Sequence, residues 1–240
     1  MKKYLTFIFT FIFLISSSPS AYANPTPLIQ QGDKVLIEEH PGNFAVCTIG
    51  YVDAARKNFM LTGHCTDGRV GDVVLNDNFQ EIGRVSENYH DGTAMNDIAV
   101  VDVTHGNIGR NIHSGDVWVA PHTVRWGEKV CSYGANSATI HCGRIIGREL
   151  PNILVASRNA GGIGGDSGGP AWIPGRGLVG FYSGFTDDSA IFTYPDNNYG
   201  KIYVPTIDDI RRDINTNINN GIREINKYTP ENVKVPLSSF

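Results

Sequence analysis

Two stretches decide the fold: Gly165-Asp166-Ser167-Gly168-Gly169-Pro170 and, about a hundred residues earlier, Leu61-Thr62-Gly63-His64-Cys65. A serine flanked by glycines can be presented on a tight turn, because glycine takes backbone angles that other residues avoid. The same turn can aim backbone N–H groups at a developing negative charge, as acyl transfer requires. A histidine beside a cysteine in an otherwise apolar stretch is the natural candidate for the base. Together they predict nucleophilic hydrolysis by serine.

Chain order separates the architectures that use such a serine. Gly165-x-Ser167-x-Gly169 also fits the nucleophile elbow of α/β-hydrolases, in which the acid and the histidine follow the serine. All seven histidines here, at 40, 64, 90, 105, 113, 122 and 141, precede Ser167, which excludes that arrangement. A subtilisin-type order would place Asp33 or Asp53 ahead of His64, but the alternation of helix and strand that such a fold needs is missing. His, Asp, Ser is the order of chymotrypsin-like enzymes.

Around these motifs, short runs rich in β-branched residues alternate with Gly, Asn and Asp turns. Examples are Lys34–Ile37, Phe44–Ile49, Val73–Leu75, Ile98–Val103, Val117–Val119, Arg144–Ile146, Asn152–Val155, Gly177–Tyr182 and Lys201–Val204. Closely spaced short strands with turn signals predict an all-β sandwich or barrel. The 27 glycines fit many tight turns and bulges. One helix is expected, over residues 206–220. Pro205 stops the strand before it, Thr206 is placed to cap it, and Ile207, Ile210, Ile214 and Ile218 form one apolar stripe. Residues 221–240 read as a polar tail.

Residues 1–23 have the form of a secretory signal peptide: Lys2 and Lys3, an apolar stretch from Leu5 to Ile15, and Ala21-Tyr22-Ala23 for cleavage. The apolar stretch is short for a bilayer span, so no stable membrane anchor is expected. A secreted or periplasmic location follows. Removing the leader leaves 18 basic against 24 acidic residues, a net charge of −6, which argues against nucleic acid or an anionic membrane as partner. Four cysteines in an exported chain favour two disulfides, with three possible connectivities. Their spacing lacks the paired knuckles of a zinc site, and neither metal nor cofactor is expected.

The acid is open on residue chemistry alone, since Asp91, Asp97 and Asp102 all lie in plausible segments. Asp97 stands where the run Ile98–Val103 enters the core, and a carboxylate there must be paired or hydrogen-bonded. Such a setting orients an imidazole and stabilises its charged form.

The chain resembles the chymotrypsin-like serine protease family, in the bacterial secreted branch of streptogrisins and α-lytic protease. The resemblance rests on Leu61–Cys65, Asn96-Asp97-Ile98-Ala99-Val100, Val130-Cys131 through His141-Cys142-Gly143, Gly165–Pro170 and Gly180–Gly184, and spans roughly residues 35 to 218. It implies two antiparallel six-stranded β-barrels with the active site in the cleft between them and a C-terminal α-helix. The corresponding layout is a short N-terminal segment at 24–33, a first lobe at 34–120, a second at 121–205, then the helix and tail. It favours Asp97 as the acid, beside His64 as base and Ser167 as nucleophile. It pairs Cys47 with Cys65 and Cys131 with Cys142. Each closes a loop of between roughly ten and twenty residues, a constraint of about 3 kcal/mol in favourable geometry.

The resemblance also assigns the N–H groups of Gly165 and Ser167 to an oxyanion hole, and Gly161, Gly162, Tyr182, Ser183, Gly184 and Phe185 to substrate binding. Ser183 is expected beneath the triad, and Ser183–Phe185 is expected to pair with the substrate as a strand. Gly161 stands on the pocket floor, where trypsin-like members carry an aspartate, so cleavage after Lys or Arg is not expected and an apolar or small residue is. Asp166 calls for a positive partner. In bacterial relatives this is an arginine just after the first cysteine of the second disulfide, a position held here by Ser132. Arg144, Arg148 or a processed N-terminus are the alternatives. About ten residues separate Ala23 from the first strand at Lys34, too few for a large pro-domain, so folding without one is expected.

The function predicted is that of a secreted, monomeric serine endopeptidase acting on protein or peptide. Its competitors are a catalytically silent protease-like binding module and an exported esterase on the same scaffold.

Overall fold

A computed structural model describes residues 26–90, 97–120, 123–148, 153–194 and 222–223. The signal peptide read at 1–23, the helix expected over 206–220, the strand at Lys201–Val204 and Asp91 lie outside the described residues. Fifteen strands are described: β1 (Leu28–Ile29), β2 (Lys34–His40), β3 (Asn43–Thr48), β4 (Tyr51–Asp53), β5 (Asn58–Leu61), β6 (Val73–Asn76), β7 (Glu81–Asn88), β8 (Ala99–Val103), β9 (Asn107–Ile108), β10 (Lys129–Gly134), β11 (Thr139–Arg148), β12 (Ile153–Ser157), β13 (Pro170–Ile173), β14 (Gly177–Phe185) and β15 (Ser189–Thr193).

The second lobe is a closed six-stranded barrel in the order β10-β11-β12-β15-β14-β13. The first is a seven-stranded sheet in the order β3-β2-β6-β7-β8-β5-β4. Its two edge strands, β3 and β4, are separated in sequence only by Ile49 and Gly50. The sheet therefore curls until its edges meet along one bent chain segment, and counting β3 and β4 as one strand gives the six expected. Register shifts in β2, β6 and β7 coil the sheet, as bulges do. Val117–Val119, read as a strand, makes only a single parallel bridge, from Trp118 to Leu178.

The continuously apolar β5 and β8 are explained by burial on two faces. Phe59, Leu61, Ala99 and Val101 point into the first barrel's core. The alternate residues Met60, Ile98 and Val100 point the other way, against Leu178, Phe181 and Tyr51 at the junction of the lobes. Strand side chains alternate in direction, so one run serves both cores. Phe59, Phe181 and Phe192 are fully buried, each contributing about 1.5–3 kcal/mol by removal from water.

Two buried amides tie the N-terminal segment and the stretch around residues 111–114 to the bend between β3 and β4. Gln31 donates to the Gly50 carbonyl at 2.8 Å and to Ser114 Oγ at 2.7 Å, and accepts from the backbone N–H groups of His113 and Ser114. Asn111 brackets Val52, accepting from its N–H and donating to its carbonyl. Gly50 has no room for a side chain: a Cβ there would lie 2.4 Å from the Gly168 carbonyl oxygen and from Phe181. That contact brings the bend of the first barrel directly against the serine turn of the second.

Candidate active site

Ser167 sits on the turn that enters β13. Gly165 and Gly168 on either side have φ of +89° and +86°, values that favour glycine. A Cβ at Gly168 would also strike the Thr48 carbonyl oxygen at 2.4 Å. Within the turn, Asp166 N–H donates to Ile163, Gly168 N–H to Tyr182 and Gly169 N–H to Asp166. The N–H groups of Gly165 and Ser167 have no acceptor among the described residues. These are the two donors expected at an oxyanion hole.

The first lobe holds this turn directly. Thr48 N–H donates to the Ser167 carbonyl at 2.8 Å, and Thr48 Oγ1 donates to the Gly165 carbonyl at 3.1 Å. Cys65 Sγ touches the Ser167 carbonyl at 3.9 Å, a packing contact because that sulfur is bonded to Cys47. The serine turn and the histidine turn thus meet across the cleft.

His64 occupies a 3-10 turn over Gly63–Thr66. A Cβ on Gly63 would lie 2.7 Å from His90 Cβ and 2.8 Å from Asn88 Oδ1, so glycine lets the turn press onto the end of β7. Asn88 Nδ2 donates to the Gly63 carbonyl at 3.0 Å and fixes that approach. Asp97, only 3 % exposed, grips the histidine twice. Oδ1 accepts from the His64 backbone N–H and Oδ2 pairs with Nδ1, both at 2.7 Å. A carboxylate can only accept, so the proton lies on Nδ1 and Nε2 is left as the free base. Asp102 is exposed on β8 and accepts from Ser86 Oγ, away from His64. Of the two described candidates for the acid, Asp97 is the one beside the histidine.

A second histidine, marked by no motif, faces the same carboxylate. His90 Nδ1 lies 3.2 Å from Asp97 Oδ1, off the direction of a hydrogen bond, and its ring centroid is 6.3 Å from that of His64.

Asp166 departs from expectation. It is 1 % exposed, yet no cation pairs with it among the described residues. Instead Oδ1 accepts from the N–H groups of Asn136 and Ser137 at 3.0 and 2.8 Å, and Oδ2 from that of Ile163 at 3.0 Å. Backbone donors converging on a carboxylate form an anion nest, so a neighbouring positive side chain is not required. Arg144 is exposed and bonds the Gly127 carbonyl. Ser132, where relatives place arginine, is buried and donates to the Ala160 carbonyl at 2.6 Å.

The segments assigned to substrate binding face one another. Gly161 packs so closely on Ala190, Arg158 and Tyr182 that a Cβ would lie 2.9, 3.0 and 3.3 Å from them. The Gly162 carbonyl accepts from Tyr182 Oη at 3.1 Å and from Arg158 Nη2 at 3.3 Å. Burial raises the Tyr182 phenol above its ordinary range, offset in part by the Arg158 charge, so the hydroxyl stays protonated and holds Gly162. Gly164 and Gly184 border open space, and Phe185 is exposed. Ser183 does not reach Asp97; its hydroxyl pairs with Thr193 Oγ1 at 2.5 Å.

Both expected disulfides are present, Cys47–Cys65 and Cys131–Cys142. The first anchors the residue after His64 to β3. The second joins directly opposed residues of β10 and β11.

No protein-family model and no curated protein sequence matches the chain. Solved structures do. The crystal structure of Cellulomonas bogoriensis chymotrypsin is 23% identical with a TM-score of 0.52, covering 70% of this chain and 92% of that one. An α-lytic protease homologue, N4, is 16% identical with a TM-score of 0.54, covering 72% of this chain and 95% of that one.

The chain has the chymotrypsin-like fold.

In that fold the cleft between the barrels is where the two lobes present side chains to each other. Here the Ser167 turn of the second lobe lies against Thr48 and Cys65 of the first. Among the described residues no helix is long and apolar enough to cross a membrane. The two disulfides fit an oxidising compartment.

Proposed function

We propose that this protein is an exported serine endopeptidase in which Ser167, His64 and Asp97 act as nucleophile, base and orienting acid. The observation that carries the reading is the double grip of Asp97 on His64, which occupies Nδ1 and leaves Nε2 as the ring nitrogen available to act as base. A serine hydroxyl is too weakly acidic to attack unaided and needs such a base within reach. As Ser167 Oγ bonds to the scissile carbonyl carbon, its proton passes to His64 Nε2. Asp97 stabilises the imidazolium that results. The carbonyl oxygen becomes an oxyanion held by the Gly165 and Ser167 N–H groups, where loss of one donor costs on the order of 3 kcal/mol. His64 then gives its proton to the leaving amine, and water hydrolyses the acyl-enzyme by the reverse sequence of proton transfers.

The substrate is a protein or peptide, whose backbone runs along Ser183–Phe185 as an added strand. The chain acts as a monomer, exported by its N-terminal leader. A silent binding module is disfavoured by the anion nest around Asp166, which supplies by backbone donors what the missing arginine would have given. The same acyl chemistry serves an esterase, and rates separate the two. The purified protein is expected to cleave a denatured protein substrate, with Ser167→Ala abolishing cleavage. Turnover confined to small esters overturns the peptidase assignment.

A further inference from the structure

We propose that Arg158 sets the specificity of this site and that the preferred substrate residue before the cleaved bond is acidic, Glu or Asp. The proposal rests on the serine endopeptidase reading and on the segments 161–164 and 182–185 forming the walls that receive that residue.

Arg158 opens the short 3-10 turn Arg158–Ala160, whose start is fixed by its own N–H donating to the Asp188 carbonyl at 3.1 Å. From there the side chain extends between the two walls. The guanidinium carbon lies 4.1 Å from the centre of the Phe185 ring, Nη2 donates to the Gly162 carbonyl at 3.3 Å, and Nη1 stands 3.0 Å from where a Gly161 Cβ would be. The absence of a side chain at Gly161 therefore leaves space that the guanidinium head occupies. Stacking on an aromatic face holds the plane of the guanidinium while leaving its edge able to hydrogen-bond.

The charge of Arg158 is not neutralised locally. A guanidinium carries five N–H donors. Among the described residues its only side-chain acceptor is the neutral Gly162 carbonyl, and no carboxylate pairs with it. Asp166 lies behind Gly162, but its oxygens accept the N–H groups of Asn136, Ser137 and Ile163. Asp187 and Asp188 are exposed on the turn beyond Phe185 and make no ion pair with Arg158. The other groups at this position, Tyr182, Ala190 and Phe185, are uncharged. A half-buried cation with unused, preorganised donors matches a carboxylate, which can take two parallel N–H···O bonds from it. A lysine or arginine side chain entering the same space meets like charge. An apolar one leaves the guanidinium without a counter-charge and strips it of water. This replaces the apolar or small preference expected from the sequence.

The test uses the mature protein with matched peptide substrates that carry Glu, Gln, Asp, Asn, Leu or Lys before the scissile bond. Active sites are counted by fluorophosphonate labelling of Ser167. The wild type is expected to favour Glu over Gln by about tenfold or more in kcat/KM, the usual scale of a charge-assisted hydrogen bond. Arg158→Ala is expected to abolish that ratio. Arg158→Lys should retain part of it, and Arg158→Glu should shift preference towards Lys. The lysine and glutamate variants keep a long side chain against Phe185, so a folding defect in the alanine variant does not decide the matter. Labelled enzyme that cleaves after Leu, or equally after Glu and Gln, overturns the role of Arg158 alone. Folded protein that takes no label overturns the serine hydrolase reading, and the specificity falls with it.

Discussion

His90 Nδ1 stands 3.2 Å from Asp97 Oδ1, so the carboxylate that grips His64 is faced by a second imidazole. Asp97 lies between the two rings, with Oδ1 accepting the His64 backbone N–H and Oδ2 meeting the His64 ring. His90 also supplies the surface on which Gly63 rests.

This arrangement makes His90 a positioning residue. Replacing it with alanine opens space beside a buried carboxylate and admits water to the pair on which the base depends. His90→Ala is expected to lower kcat/KM about tenfold, or about 1.4 kcal/mol of transition-state stabilisation, with most of the loss in kcat. His90→Phe keeps an aromatic ring beside Asp97 but not the nitrogen that faces it. Steady-state kinetics on both variants separate shape from polarity, and unchanged rates in both remove His90 from the account.

Asp166 leads to a different expectation. Its two oxygens accept from three partly buried backbone N–H groups, and leaving a buried donor unpaired costs up to about 1–3 kcal/mol. Asp166→Ala is expected to lower the thermal midpoint and also abolish acylation of Ser167. Because backbone donors hold this carboxylate, a freed terminal amine is not needed. Protein carrying a few extra residues at its mature N-terminus should label at Ser167 as fast as protein without them. A zymogen-like lag in intact-mass labelling contradicts this.

His113 provides a pH dependence of stability. It stacks on Tyr133 at 4.2 Å and on Trp172 at 5.6 Å, and burial lowers its proton affinity below the ordinary histidine value. A histidine held neutral by the fold binds its proton more readily when unfolded. Stability is therefore fully present above the unfolded value, about 6.5, and is lost as pH falls below it towards the lowered folded value. Denaturant midpoints measured between pH 8 and 5 should fall with pH. His113→Phe, which preserves the stacking, should flatten part of that slope. An unchanged slope contradicts the assignment.

Much of this site was legible from spacing and chemistry. Strands such as β2 and β8 are visible as β-branched runs, while β5 is not marked as one, and the order of His64, Asp97 and Ser167 separates this architecture from its rivals. The acid stays open among Asp91, Asp97 and Asp102 on residue chemistry, and the family resemblance is what favours Asp97. What escaped depends on contacts between distant segments. The nest around Asp166 is made by backbone N–H groups of Asn136, Ser137 and Ile163, and backbone donors have no residue signature. Ser132 suggested a missing cation only because side chains are what a sequence displays. His90 precedes Asp97 by seven residues with no motif to mark it. Arg158 was the one legible omission, a lone cation three residues before the glycine floor at Gly161. The Gln31 bonds to His113 and Ser114 join residues more than eighty positions apart, which no local pattern records.

Intact-mass labelling of the mature protein with a fluorophosphonate, beside Ser167→Ala and His64→Ala, tests the central claim most directly. One adduct per chain is expected on the wild type, none on Ser167→Ala, and labelling slowed by several orders of magnitude on His64→Ala. A folded wild-type protein that takes no adduct, or an adduct that persists in Ser167→Ala, contradicts Ser167 as an activated nucleophile.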